Sequence, residues 1–202
     1  RLMVNGRQVS LKMETDMPWK GNVKVSVTGT GAGSGFSIRV RIPSWTGEAP
    51  VPGNLYRFIT PATGRVRIAV NGKEIQPETV KGFAVIDSEW SVGDVITVNL
   101  PAEPRFVAAR EEVEADRDRI ALSAGPVVYC LEEADNGKVR GVKADPAAGT
   151  LLTDLLTGEE GKGTLMFDAK MPDGSVKMMR AVPYYSWANR GRGEMIVWMK
   201  TK

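Results

Sequence analysis

Residues 122–132 read Leu-Ser-Ala-Gly-Pro-Val-Val-Tyr-Cys-Leu-Glu. An apolar run stops at Gly125-Pro126, a turn-forming dipeptide, and then resumes through Val127–Leu131. The same grammar recurs at 182–198, Val-Pro-Tyr-Tyr-Ser-Trp-Ala-Asn-Arg-Gly-Arg-Gly-Glu-Met-Ile-Val-Trp. Each stretch reads as a strand interrupted by turn residues and then continued, because β-branched and aromatic residues in short runs bounded by Gly and Pro favour strands over helices.

Working outward, the dominant period of the chain is two. Val23, Val25 and Val27 alternate with Lys24, Ser26 and Thr28; Phe36, Ile38, Val40 and Ile42 with Ser37, Arg39 and Arg41; Val66, Ile68 and Val70 with Arg65, Arg67 and Ala69; Ile96, Val98 and Leu100 with Val95, Thr97 and Asn99. Such alternation sends one set of side chains to a core and the other to water. Asn5-Gly6, Asn71-Gly72, Asn136-Gly137 and Asp173-Gly174 are dipeptides that tolerate positive φ and predict tight hairpins. Pro43, Pro101 and Pro104 end strands, since proline cannot donate to the ladder. The pattern predicts an all-β chain of two consecutive antiparallel β-sandwich domains with little helix. Pro101-Ala102-Glu103-Pro104 marks the boundary, giving domains 1–104 and 105–202. Further strands are expected at Val127–Leu131, Val139–Val142, Thr164–Phe167, Val176–Pro183 and Glu194–Met199. The one helical turn expected is at Leu151, Leu152, Leu155 and Leu156. Residues 46–64, rich in Gly and Pro, read as a long loop of the kind that is functional or meets a neighbouring domain.

The composition excludes much. Among 202 residues there is no histidine and a single cysteine, Cys130. That removes the Ser-His-Asp triad, the Cys-His dyad, any intramolecular disulfide and a Cys-only zinc site. No apolar run approaches the length of a membrane helix. The net charge of +3 is small, and the alternating arginines 39, 41, 65 and 67 suit the wet face of a sheet, so no nucleic-acid partner and no membrane partner are expected. The glycine-rich stretch 29–35 lacks dinucleotide spacing and is followed by a strand, so it reads as a connection between strands. Gly161-Lys162-Gly163-Thr164 lacks the Ser or Thr that a phosphate loop places after its lysine.

Glycosidases need two carboxylates across a sugar site, one with a raised pKa. Glu111/Glu112, Asp116/Asp118 and Glu132/Glu133 are neighbours in sequence only, so no catalytic residue is assigned. Cys130, within an apolar strand, reads as packing rather than as a nucleophile. Among the aromatic residues, Trp90 and Trp198 follow strand patterns. Trp45, Tyr56, Tyr185 and Trp187 are the candidates for sugar or interdomain contact, since Tyr and Trp combine a flat apolar face with a polar handle.

Several of these stretches, taken in order, carry a family resemblance. They are Thr15-Asp16-Met17-Pro18-Trp19, Val40-Arg41-Ile42-Pro43-Ser44-Trp45, Val70-Asn71-Gly72, Trp90 with Gly93 and Asp94–Pro101, Gly125–Glu132 and Pro183–Gly191. Together they resemble the C-terminal β-sandwich region of glycoside hydrolase family 127, the β-L-arabinofuranosidase-like proteins. The resemblance implies an (α/α)6 catalytic barrel followed by two β-sandwiches. The family's zinc, cysteine nucleophile and glutamates would lie in that barrel, and none of those positions maps onto this sequence. Ser123-Ala124, where a bulkier or basic pair is expected, and residues 46–64 depart from the pattern.

The resulting expectation is a fragment of a longer polypeptide, holding no catalytic, metal or cofactor residue and inactive alone. It would support or orient the parent barrel, its chief partner. A carbohydrate-binding module using exposed Trp and Tyr is the alternative, with carbohydrate as partner. A generic interaction sandwich, forming a homo-oligomer through an apolar patch, is the weaker one.

Overall fold

The computed structural model describes residues 1–4, 6–30, 35–145, 152–153 and 163–201. In chain order the strands are β1 (Leu2–Val4), β2 (Arg7–Thr15), β3 (Asn22–Gly29), β4 (Gly35–Arg41), β5 (Tyr56–Phe58), β6 (Arg67–Val70), β7 (Lys73–Ile75), β8 (Thr79–Val80) and β9 (Phe83–Glu89). They continue with β10 (Val95–Asn99), β11 (Pro104–Ala109), β12 (Arg119–Ala124), β13 (Val127–Glu132), β14 (Leu152–Thr153), β15 (Leu165–Lys170), β16 (Val176–Pro183), β17 (Met195–Ile196) and β18 (Met199–Lys200). Among the described residues a single helical turn, α1 (Glu133–Asn136), interrupts them, alongside three short 3-10 turns. The all-β expectation is met.

Contacts divide the chain into two compact units, one of residues 1–46 and 64–101, the other of residues 47–63 and 102–202. In the first unit, one sheet runs β1-β2-β3-β10-β6-β7 and a second runs β4-β9-β8. The two-residue period is what sets the register. Ile96 stands opposite Val25 on one side and Val70 on the other, and Val98 opposite Val23 and Ile68. Apolar side chains therefore form continuous rows across three strands, and a slip of one residue would turn every one of them to water. In the second sheet Ile38 faces Ile86 and Val40 faces Ala84. Trp90, 1% exposed, donates its indole N–H to the Phe36 carbonyl at 2.8 Å and packs against the Phe36 ring. The β6–β7 hairpin turns on Asn71-Gly72, both at positive φ. There the Asn71 side chain accepts the Val95 N–H and donates to Asp94.

The second unit is built on the sheet order β14-β15-β16-β13-β12-β11-β5. β12 pairs with β18 over its first residues and with β13 over its last. β13 pairs with β12 at its start and β17 at its end, and with β16 on its other edge. Both strands are paired along both edges, and side chains on both of their faces are buried. Ile120, Ala121, Leu122 and Ser123 are all buried in succession, and so are Tyr129, Cys130, Leu131 and Glu132. This is why these two segments read as near-continuous apolar runs rather than alternating ones.

The structure revises several sequence expectations. Part of the 46–64 loop forms β5, whose Tyr56–Phe58 pairs with β11 and places residues 47–63 in the second unit. Arg105 holds this segment from β11: its guanidinium donates to the Gly47 carbonyl and lies over the Phe58 ring, 3.3 Å from the centroid. Val139–Val142 is a turn rather than a strand, burying Val139 and Val142, with the Val142 N–H bonded to the Val139 carbonyl. Asn136-Gly137 is the end of α1 rather than a hairpin; Gly137 at positive φ donates its N–H to the Glu133 carbonyl, satisfying an orphan carbonyl of the helical turn. Leu152 lies in β14 rather than in a helix, and Leu151, Leu155 and Leu156 lie outside the described residues, as do residues 31–34 of the glycine-rich stretch and Gly161-Lys162.

Candidate functional site

Residues 122–132 and 182–198 meet in the second unit, where β13 pairs with both β16 and β17. β13 delivers Glu132 at its end, and α1 follows at once with Asp135 and Asn136. β16 ends at Pro183, and the chain turns through Tyr184–Ser186 into the exposed loop Trp187–Arg190. Arg190 reaches back across this loop. Its guanidinium donates to Asp135 at 2.7 and 2.5 Å and to Glu132 Oε2. The other Glu132 oxygen accepts the Ala188 N–H at 2.8 Å. Arg180, on β16, adds a further bond to Asp135 at 3.1 Å.

Both carboxylates are enclosed, with 7% and 6% of their side chains exposed, whereas 42% of the Arg190 side chain meets solvent. Enclosing a carboxylate raises its pKa, and a cation beside it lowers it. For Asp135 burial is the largest single influence and pulls upward, but hydrogen bonds and charge from Arg190 and Arg180 together outweigh it and leave the pKa lowered. Arg190 is held more firmly protonated than usual, first by its bond to Asp135. Asn136, also buried, completes the arrangement: its amide donates to the Glu132 and Arg180 carbonyls and accepts the Arg180 N–H. The side chain thus supplies backbone-like partners where the ladder ends.

The loop so held presents an aromatic surface. The rings of Tyr184 and Trp187 are parallel to within 8°, with centroids 6.3 Å apart, and each side chain is nearly half exposed. Tyr185 is 66% exposed. The structure therefore pairs Trp187 with Tyr184, and places Tyr185 in the same exposed turn. Tyr56 lies elsewhere in the second unit, half-buried in β5 and stacked on Trp198 at 5.9 Å. Trp45 is buried, at 8% exposure, in a 3-10 turn of the first unit, where the Pro43 carbonyl accepts both the N–H and the hydroxyl of Thr46.

The carboxylate pairs fare as their sequence context suggests. Glu112 is exposed and bonded to Arg110, and Glu133 accepts the Glu194 N–H at 2.8 Å. Glu132 is occupied as described. Cys130 is 2% exposed, and burial, followed by the negative charge of Glu132, pushes its thiol up to about 11. A thiol this reluctant to ionise does not fit a zinc ligand or a nucleophile. Among the described residues, no three His, Cys, Asp or Glu side chains converge as a metal would require. The sequence reading missed the Glu132–Asp135–Arg190 hub, because Arg190 lies 58 and 55 residues from its two acids and shares no periodicity with them; the only hint was an acidic residue closing a buried strand.

Comparison with known proteins places this arrangement. Residues 1–102 match the GH127 middle domain of β-L-arabinofuranosidase, and residues 104–200 match the glycoside hydrolase family 127 C-terminal domain. A non-reducing end β-L-arabinofuranosidase of Bifidobacterium longum subsp. longum is 30% identical over 217 residues, covering 95% of this chain and 30% of that protein. A solved GH127 β-arabinofuranosidase superposes with a TM-score of 0.87 at 29% identity, over 100% of this chain and 33% of its own. The GH127 β-L-arabinofuranosidase of Geobacillus stearothermophilus T6 gives 0.82 at 28%, over 100% and 32%. The chain thus spans roughly a third of the length of these relatives, in which this region is part of a larger polypeptide. With two family domains matched end to end and the fold reproduced, the chain belongs to glycoside hydrolase family 127, as its middle and C-terminal β-domains.

Proposed function

We propose that these two domains, divided near residue 104, are the non-catalytic β-portion of a β-L-arabinofuranosidase-like glycoside hydrolase, and that they support and orient its catalytic barrel. The observation that carries this reading is the use made of the buried acids. Both Glu132 oxygens and both Asp135 oxygens are taken by Ala188, Arg190 and Arg180. A general acid needs a carboxyl that holds its proton near neutral pH, and the cations around Asp135 work against that. These acids serve to fix a surface loop instead.

The test is direct. The purified protein should not hydrolyse aryl β-L-arabinofuranosides, and a catalytic barrel expressed without these domains should be less soluble and melt earlier than the joined protein. Measurable turnover by the protein alone overturns the reading.

Carbohydrate binding is a second reading, favoured by the parallel Tyr184–Trp187 pair with Tyr185 in the same exposed turn. Two parallel exposed rings suit the apolar faces of successive sugars. Calorimetric titration with arabinan separates the two: the scaffold role alone produces no heat of binding, whereas a sugar platform does, and loses it in Trp187→Ala.

A further inference from the structure

A second feature of the same unit is lined by residues other than Glu132, Asp135 and Arg190. A cavity of about 480 Å³ is lined by Arg119 at the start of β12, Arg140 in the turn after α1, and Lys200 in β18. Trp198, Ile196 and Val142 supply apolar walls. The cations are placed against electrostatic preference. Arg119 and Lys200 stand directly opposite one another in an antiparallel pair, where like charges repel. Lys200 also faces Lys143 across a further bridge. Among the described residues the ion pair reaching this cavity is Arg140 with Glu194 at 3.9 Å, and the same carboxylate accepts the Arg140 N–H. Three cationic residues thus line one pocket, with Glu194 the carboxylate paired there among the described residues, and the Arg119 guanidinium donates to the Trp198 carbonyl at 3.5 Å.

We propose that this pocket binds a carboxylated sugar, a hexuronate unit of an acidic glycan. The inference rests on the family reading only for its ligand class, the saccharides. The chemistry supports it in three ways. Guanidinium groups form charge-assisted, bidentate bonds to carboxylates. The indole of Trp198 is partly exposed, lines the cavity and is steadied by its stack on Tyr56, so that little side-chain freedom is lost when a ring packs on it. The volume falls in the usual range for small-ligand sites, about 300–1,000 Å³. A simple inorganic anion would use the cations and leave the apolar walls without a role.

The experiment titrates the protein with trigalacturonate, inorganic phosphate and neutral arabinotriose, following Trp fluorescence and calorimetric heat at low and high salt. Trigalacturonate should bind saturably, and its affinity should fall about tenfold or more at high salt, because exposed charges are screened. Arg119→Gln and Lys200→Gln should each weaken it by about tenfold, as loss of a charged hydrogen bond predicts. Lys200→Gln also removes a like-charge contact, so its melting temperature should be unchanged or raised, which separates lost binding from lost folding. Absence of saturable trigalacturonate binding overturns the proposal. So does phosphate binding equally tightly, which would reduce the pocket to a general anion site, or arabinotriose binding equally tightly, which would remove the role of the cations. None of these results alters the scaffold reading, which is judged by hydrolysis and by barrel stability.

Discussion

The Glu132 carboxylate accepts the backbone N–H of Ala188 at 2.8 Å, and Ala188 sits at φ 64°, in the left-handed region that non-glycine residues rarely adopt. A buried strand end therefore holds an exposed loop in a strained conformation, with Arg190 closing the same link from its side chain. The bond anchors the residue that follows Trp187, whose ring is paired with that of Tyr184.

Replacing Glu132 with Ala should release the loop. The Ala188 N–H and the Arg190 guanidinium both lose a partner, and charged hydrogen bonds are worth about 1.5–3 kcal/mol each. Because Arg190 is half exposed and can turn to water, a total loss of about 2 kcal/mol is expected. Urea denaturation measures it, and a change in Trp187 fluorescence before global unfolding would report the loosened loop. An unaltered denaturation midpoint and emission would contradict the assigned role.

Asp135 gives the unit an acid sensitivity. Its pKa is lower folded than unfolded, through Arg190 and Arg180, so its contribution is fully present above the ordinary carboxylate pKa of 3.8. It is lost as pH falls from there through the lowered folded value, because the unfolded chain then binds the proton more readily. Stability measured by denaturant between pH 7 and pH 2 should drop in that acid window, and the drop should be smaller in Asp135→Asn, which is less stable at neutral pH but has no such proton to take up.

Cys130 should be silent toward thiol reagents in the native protein. Burial in β13 and a pKa of about 11 leave almost no thiolate at pH 8. Labelling with a chromogenic disulfide should proceed only in denaturant, at one thiol per chain; rapid native labelling would show that β13 opens.

Gly21→Ala should be severely destabilising. A Cβ there would lie 1.5 Å from the Leu100 carbonyl oxygen, and the Leu100 N–H is bonded to the Gly21 carbonyl, so the obstacle is backbone on both counts. No side chain can move aside, and the edge contact must part at a cost of about 3 kcal/mol or more, the upper range for overpacking. Thermal melting should show it, while Gly72→Ala, with open space around the same position, should be limited to the penalty of its positive φ.

Arg105→Ala should loosen residues 47–55 from the second unit. The Gly47 carbonyl loses a donor and Phe58 loses its cation, a contact worth about 1–2 kcal/mol when desolvated. Limited proteolysis at the exposed Val51 and Leu55 should accelerate before the remainder of the sheet unfolds.

The sequence by itself determined the strands whose side chains alternate between core and water. A two-residue period at Val23–Val27, Ile68–Val70 and Ile96–Val98 fixes which face each segment buries, and Asn71-Gly72 fixes one hairpin, since both are local consequences of backbone geometry. What only the tertiary structure decided is everything that depends on distant partners. Trp45 was buried in a 3-10 turn that Pro43 and Thr46 close, Tyr56 found Trp198 when β5 joined β11, and Asn136-Gly137 ended a helix instead of turning a hairpin. Glu132, Asp135 and Arg190 became one hub, and Arg119, Arg140 and Lys200 one pocket, only after strands far apart in sequence were paired. Local periodicity records the choice between core and water at each residue; the meeting of charges across a fold leaves no periodic trace.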